Sequence, residues 1–589
     1  MTTARRRATA SALLLLLALV GGCAVFPTSG DVHQGTSEVP EPGQVYLGTP
    51  DSPRQGAAPV EIVRGFMDAL AQGVSDDFTV AREYLADDVT DWDPWASVAV
   101  YSGEPTLASG TAAAAAGAGP DAADPGGDAA AAQPAPTPGT TARVRGDVAT
   151  LASLGNDGEF TEEPRGTHKE LSFTLEVDPA GQWRITRLDD GIEMSGANFS
   201  SVYRSVDVYF PTTDAKVLVP DVRWFPQSIA RTQAVKAVLA GPAPWLRDAV
   251  GNPVPEGTDL SVDSVVVDGD GTATVDLTAA AKAASGPDRA VMVQQLSTVL
   301  LQFPGIQSVD VLAAGSVLSV PASAALLVDP DPGPGPYVVV GRGVRSLATG
   351  TPTKVPDTVD AGAATATALA VGASAKLVVA REGTGQLWSL SGTRARLLLA
   401  APDLARPSVD RFDRIWTASS DHDAALLALS AAGRSTPVDA SWLAGRRVLS
   451  VAVSRDGARV VVVSQNASGT RVDLAGVVRN EAGVPLRLTD AVSVGASLAS
   501  VTQAVWVDDD TLAVLGRGAA ASVATVNLVP VGGFTRALSP VNDVVSIAAG
   551  HGERAVFAAA KDGTLWERSL TGASWTAAAV EVRLPAFPG

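Results

Sequence analysis

A chain of 589 residues has room for about three or four domains, and with 46% of its residues hydrophobic it can bury real cores. Its 63 acidic against 44 basic side chains leave a formal net charge of -19, a field that repels phosphate backbones and so argues against nucleic acid as a partner. One cysteine and four histidines exclude an intrachain disulfide framework and any Cys-rich metal site.

The amino terminus reads as an export signal. Arg5, Arg6 and Arg7 precede an apolar run over residues 8–20, the pattern of a charged n-region and a short h-region. Leu19-Val20-Gly21-Gly22-Cys23 then fits a bacterial lipobox, in which the thiol takes a diacylglyceryl group and becomes the new amino terminus. Residues 1–22 are thus expected to be a lipoprotein signal peptide and Cys23 the lipidated residue. The mature chain would sit on the extracytoplasmic face of the plasma membrane. Arg5-Arg6 leaves Sec and twin-arginine export both open. No later apolar run reaches the ~18–20 residues of a spanning helix, so the lipid is the predicted anchor. Residues 23–58, rich in Pro, Gly, Ser and Thr, read as a flexible tether with a reach of about 30 Å.

Residues 59–200 read as an α+β domain. Val60, Val63, Met67 and Leu70 recur at helical spacing behind Pro59, which predicts an amphipathic helix, and a second helix is expected over 79–85. Strands are expected from Trp92 onward and over 147–154, 169–177 and 183–188, the last two joined by the turn Asp178-Pro179-Ala180-Gly181. Residues 102–141 are Ala, Gly, Pro and Asp with little to bury, and read as a disordered insertion. The order of elements is similar to the cone-shaped NTF2-like fold.

Residues 201–320 carry sharper signals. Strands are expected over 205–210 and 216–226, and a helix over 229–239 stopped by Gly241-Pro242. A hairpin is expected over 260–267 and 272–277 across Asp268-Gly269-Asp270-Gly271. A helix over 291–303 and a strand over 306–312 close the domain, with both helices packed on one small mixed sheet. From residue 335 to 589 short apolar strands recur in pairs every 40–50 residues or so, with Ser454-Arg455-Asp456-Gly457 in place of the Ser-Pro-Asp-Gly turn common in such repeats. That period reads as a β-propeller of about five or six blades, with a β-sandwich pair as competitor.

The run Ala237-Val238-Leu239-Ala240-Gly241-Pro242 with Trp245-Leu246, then Pro255-Glu256-Gly257-Thr258, Val275-Asp276-Leu277 and Gln294-Gln295-Leu296-Ser297-Thr298 before Gly305-Ile306, resembles the GerMN domain. With a lipobox before it and a propeller after it, the chain resembles the actinobacterial LpqB lipoproteins. The resemblance implies a non-catalytic accessory lipoprotein that binds the extracellular sensor region of a histidine kinase, MtrB, and modulates two-component signalling linked to cell division and envelope homeostasis.

The search for chemistry agrees with that implication. His33, His168, His422 and His551 lack His-x-x-x-His spacing, so no metal site, catalytic residue or cofactor is predicted. His422 between Asp421 and Asp423 reads as a solvated turn. Asp189-Asp190 and Asp508-Asp509-Asp510 read as turn caps rather than calcium ligands. Trp388, Trp416, Trp506 and Trp566 read as packing between blades. Trp224 and Trp245 lie at strand and helix ends of the GerMN-like domain and are the candidate partner contacts, with core packing as the competing assignment. The alternative to kinase binding is a cell-wall glycan or peptide bound in the propeller pore, which calls for a polar, aromatic-lined pore. The small-molecule ligand, if any, is unknown from sequence, and an envelope hydrolase comes third.

Overall fold

The computed structural model describes residues 50–111, 137–360, 363, 365–420, 426–519, 521, 523–569 and 574–589. The signal, Cys23, most of the tether, His33, His422 and most of the insertion lie outside the described residues. No described helix is long and apolar enough to cross a membrane.

Helix α1 (Pro59–Gly73) starts at its proline, and the Glu61 side chain accepts the Ala58 backbone N–H. Its buried face is Ile62, Val63, Phe66, Met67 and Leu70, as the spacing predicts. The following helix α2 is a single turn, Thr79–Arg82. Against α1 lies a sheet of β1 (Ser97–Thr111), β2 (Thr141–Gly155), β3 (Phe160–Glu162), β4 (His168–Val177), β5 (Trp183–Arg187) and β6 (Ile192–Ser195), ordered β5-β4-β2-β1-β6 with β3 on β2. The expected insertion is corrected at its start. Residues 102–111 continue β1, and Thr106 to Thr111 pair with Asp147 to Ala142. The side chains of residues 102–110 are mostly exposed, so backbone pairing with the patterned β2 holds a segment that shows no hydrophobic period of its own. His168 opens β4.

A short α3 (Gly196–Val202), capped by the Ser195 hydroxyl, leads into β7 (Tyr203–Pro211) and β8 (Val217–Pro226). Then come α4 (Ala230–Ala240), β9 (Val266–Val267), β10 (Thr272–Leu277), α5 (Gly286–Leu300), β11 (Ser308–Ala313), β12 (Ser316–Val317) and β13 (Leu327–Val328). The expected single mixed sheet is two: β13-β8-β7 and β12-β11-β10-β9. The Asp268–Gly271 turn forms, its Asp268 carboxylate accepting the N–H groups of Asp270 and Thr272. The arm before it is a strand only at Val266–Val267, because the residues ahead of it are largely exposed. Helix α5 starts five residues earlier than its apolar pattern, at the Ser285 cap and Pro287.

Six four- or five-stranded sheets follow. Blades 2 to 6 span Ala366–Val371 to Arg396–Ala400, Ser408–Val409 to Ser435–Val438, Arg447–Val453 to Val492–Val494, Leu498–Trp506 to Arg536–Ala537 and Val544–Ala549 to Trp575–Ala579. Blade 1 joins Tyr337–Val340, Gly343–Ser346 and Thr353–Lys354 to the distant Val582–Ala586. Each blade's inner strand packs on the next, and Val582–Ala586 touches both blade 2 and blade 6, which closes the ring. Closure leaves no open edge between first and last blades.

Candidate functional site

The GerMN-like domain does not hang beside the propeller. Its core residues, among them Phe210, Val219, Leu246 and Met292, form one apolar cluster with Val461, Leu474, Val501, Trp506 and Val529 of blades 4 and 5. Polar contacts fasten the rim: Arg411 grips Asp214 with two bonds of 2.8 and 3.0 Å, and Arg487 meets Asp248 at 2.6 Å. A continuous core of this kind resists relative motion in a way that a polar domain contact does not.

At the centre of the joint lies Arg459, 0% exposed. It pairs with Asp456 at 2.7 Å, donates to the carbonyls of Pro220 and Asp509 and stacks over Trp506. Asp456 in turn accepts from Ser454 and Ala458, so the Ser-Arg-Asp-Gly turn builds the pocket that holds Arg459. Gly457 closes that turn at φ +75°, where a Cβ would meet Arg411 at 2.9 Å. Around this cation gather Asp207 and Asp509, with Asp508 and Asp510 in the same turn as Asp509. Burial, then Asp510 and Asp509, push Asp207 up to about 8, and burial with Asp510 raises Asp508 likewise. Burial also lifts Asp509 to about 6 against the pull of Arg459.

Asp508, Asp509 and Asp510 bring one oxygen each within 4.8 Å of one another, a spacing that could suit a hard cation. Their oxygens already have work to do. Asp508 accepts the N–H groups of Asp510 and Thr511, Asp509 accepts the Tyr209 hydroxyl at 3.1 Å, and Asp510 accepts that of Thr511. This is the turn-capping role that the sequence predicts, with an added bond across the domain joint. Asp190 likewise accepts the Asp93 N–H.

Trp224 and Trp245 are both drawn into domain junctions. The Trp224 indole donates to the Gly532 carbonyl of blade 5 at 2.7 Å, and its ring meets Phe199 at 4.8 Å and Phe160 at 5.7 Å. Phe534 from the propeller completes the cluster against Phe160, so three domains meet on four aromatic rings. The open side of Trp224 lines a cleft of about 320 Å³ with Trp95, Tyr203 and Ile229. Trp245 is buried, and its carbonyl accepts the Thr489 hydroxyl. The expectation of packing holds for Trp416 and Trp506, and the Trp506 indole bridges blade 5 to the Ala452 carbonyl of blade 4.

The propeller pore holds a cavity of about 90 Å³, lined mainly by Ala, Val and Ser side chains of the inner strands and by residues 584–589. A pore so filled gives no support to a bound glycan. Arg455 closes the end facing the GerMN-like domain, donating to the carbonyls of Val507, Trp506, Ala549 and Gly550 and standing 3.6 Å from Asp329. Asp329 also meets His551 at 3.0 Å. The sequence signal for Arg455 was present as the departure from proline in the turn; nothing local marked Arg459 or Asp207.

Residues 52–200 match the family model of the lipoprotein LpqB N-terminal domain, and residues 342–588 that of the LpqB beta-propeller domain. Between them, residues 207–319 match the Germane model, described as sporulation and spore germination. Lipoprotein LpqB of Cutibacterium acnes is 28% identical over 88% of this chain and 88% of its own. Lipoprotein LpqB of Thermobifida fusca is 26% identical over 100% of this chain and 99% of its own. The first GerMN domain of the sporulation protein GerM from Bacillus subtilis is 24% identical over 21% of this chain and 96% of that one, with a TM-score of 0.18, a likeness that carries no weight here. With the amino-terminal and propeller regions both matching models of one family, and relatives of that family aligned along nearly the whole length, this chain belongs to the LpqB family of lipoproteins.

Proposed function

We propose that this lipoprotein is a non-catalytic accessory protein, held by lipid on Cys23 at the extracytoplasmic face, that binds the sensor region of a histidine kinase through its GerMN-like domain. The observation that carries this reading is the placement of exposed aliphatic side chains. Among the described residues, eight of the fifteen large exposed hydrophobics fall between residues 203 and 328, against five in the longer propeller. Several stand on edge strands: Val266 on β9, Val317 on β12, Leu327 and Val328 on β13. An unpaired edge with apolar side chains is a template for a partner strand. Because the domain shares a core with the propeller, it presents those edges as a rigid body. Contact would bias the kinase only through unequal affinity for its two states. The face proposed here lies on the edge strands rather than on Trp224 and Trp245, which contribute to domain junctions.

The test is crosslinking mass spectrometry on intact cells with lysine- and carboxylate-reactive reagents, with Cys23→Ala as control. Crosslinks from residues 260–330 to a sensor kinase, lost with the anchor, support the reading. Crosslinks confined to wall-associated proteins, unchanged when the kinase is deleted, would sink it.

A further inference from the structure

We propose that the pore mouth opposite Arg455 binds a small oxyanion, a carboxylate or a phosphate, held chiefly by Arg406 with Arg381 beside it. The assignment is independent of the kinase reading and begins with where Arg406 points. It precedes the inner strand of blade 3, yet its guanidinium donates at 3.2 Å to the carbonyl of Val545 in blade 6, which stands across the ring of six. The side chain therefore spans the mouth. Its five donors have this one side-chain bond between them, and among the described residues no carboxylate pairs with it.

The neighbouring Arg381 is also without a carboxylate partner among the described residues. Arg381 donates to the Leu404 carbonyl and to the Thr367 hydroxyl, both neutral acceptors. Burial, then Arg406 and Arg447, bring Arg381 down to about 10, and burial lowers Arg406. Arg447 is paired with Asp403 at 3.2 Å, so that carboxylate is already engaged. Arg381 and Arg406 thus flank Leu404 with no carboxylate paired to either among the described residues, on a chain whose net charge is -19. Inside the mouth, the Ser546 hydroxyl lines the same cavity, is 2% exposed and has no hydrogen-bond partner. Gln503, also lining it, is occupied in both directions by Ile547. An oxyanion at the mouth would supply the acceptors that Arg406 and Arg381 lack, and charge-assisted bonds to a forked guanidinium are the strong kind.

The test is calorimetric titration of the full-length protein in neutral detergent with sodium phosphate and with sodium acetate, against sodium chloride at matched ionic strength to remove screening. Saturable heat with either oxyanion and none with chloride is expected, and which of the two binds distinguishes a phosphate source from a carboxylate source. Arg406→Gln should weaken binding at least about tenfold. Val545→Glu, which places a carboxylate of the protein's own beside Arg406, should do the same without removing a cation. Arg447→Gln should leave affinity within about twofold, since an exposed, already paired charge contributes little. Circular dichroism confirms that each variant is folded. Absence of saturable heat in the wild type, binding that persists in either Arg406→Gln or Val545→Glu, or an equal loss in Arg447→Gln would overturn the proposal.

Discussion

The two mouths of the propeller pore carry arginines in opposite circumstances. Arg455 faces the GerMN-like domain and is satisfied by four carbonyls, with Asp329 nearby. Arg406, at the other mouth, spans the pore to one carbonyl. A guanidinium held by several acceptors is part of the structure that holds it, whereas one with a single bond keeps donors to spare for a solute. The difference separates a face that joins domains from one left open to solutes.

Substitutions on the two faces should therefore differ in size. The largest effect is expected for Arg459→Leu, which strands the buried Asp456 carboxylate and should cost about 3–5 kcal/mol; urea unfolding of the full chain measures it. Arg455→Gln leaves buried carbonyls short of donors, and about 2 kcal/mol is expected by the same assay. Trp224→Phe keeps the aromatic cluster and removes the bond to Gly532, so a loss of about 1 kcal/mol is expected. Arg406→Gln should change stability by less than about 0.5 kcal/mol. A cost as large as that of Arg459→Leu would erase the distinction between the faces.

The acidic joint sharpens the same contrast through pH. Burial raises Asp509 from 3.8 to about 6 in the folded chain, so between those values the folded state holds a proton that the unfolded state has released. Stability must then fall as pH rises through that window. Asp207 and Asp508, also raised chiefly by burial, extend the fall to higher pH. Urea midpoints at pH 5 and pH 7.5 should show the wild type weaker at the higher value, with a smaller difference in Asp207→Asn. An equal difference in both proteins would remove Asp207 from the account.

Much of the molecule is written in short-range pattern. The face of α1, the Asp268–Gly271 turn and the paired strands of the blades follow from apolar period and turn chemistry within a dozen or so residues. The continuation of β1 through residues 102–111 does not, because its exposed Ala, Gly, Ser and Thr residues carry no burial signal and the strand exists through its pairing with β2. The joint was the least legible part of the candidate site. Asp207 looks like an ordinary outward residue of an alternating strand until Asp509 and Asp510 are brought against it.

The order of domains and the repeating blade texture were determined by the sequence alone, since each depends on residues close together in the chain. Tertiary structure decided the rest. Blade number was set by ring closure between residues 337–340 and 582–586, the role of Trp224 by a carbonyl 308 residues away, and the state of Arg406 by what the opposite blade did and did not place beside it. Charge and hydrogen-bond satisfaction are properties of a neighbourhood, and folding assembles that neighbourhood from segments whose local patterns carry no record of one another.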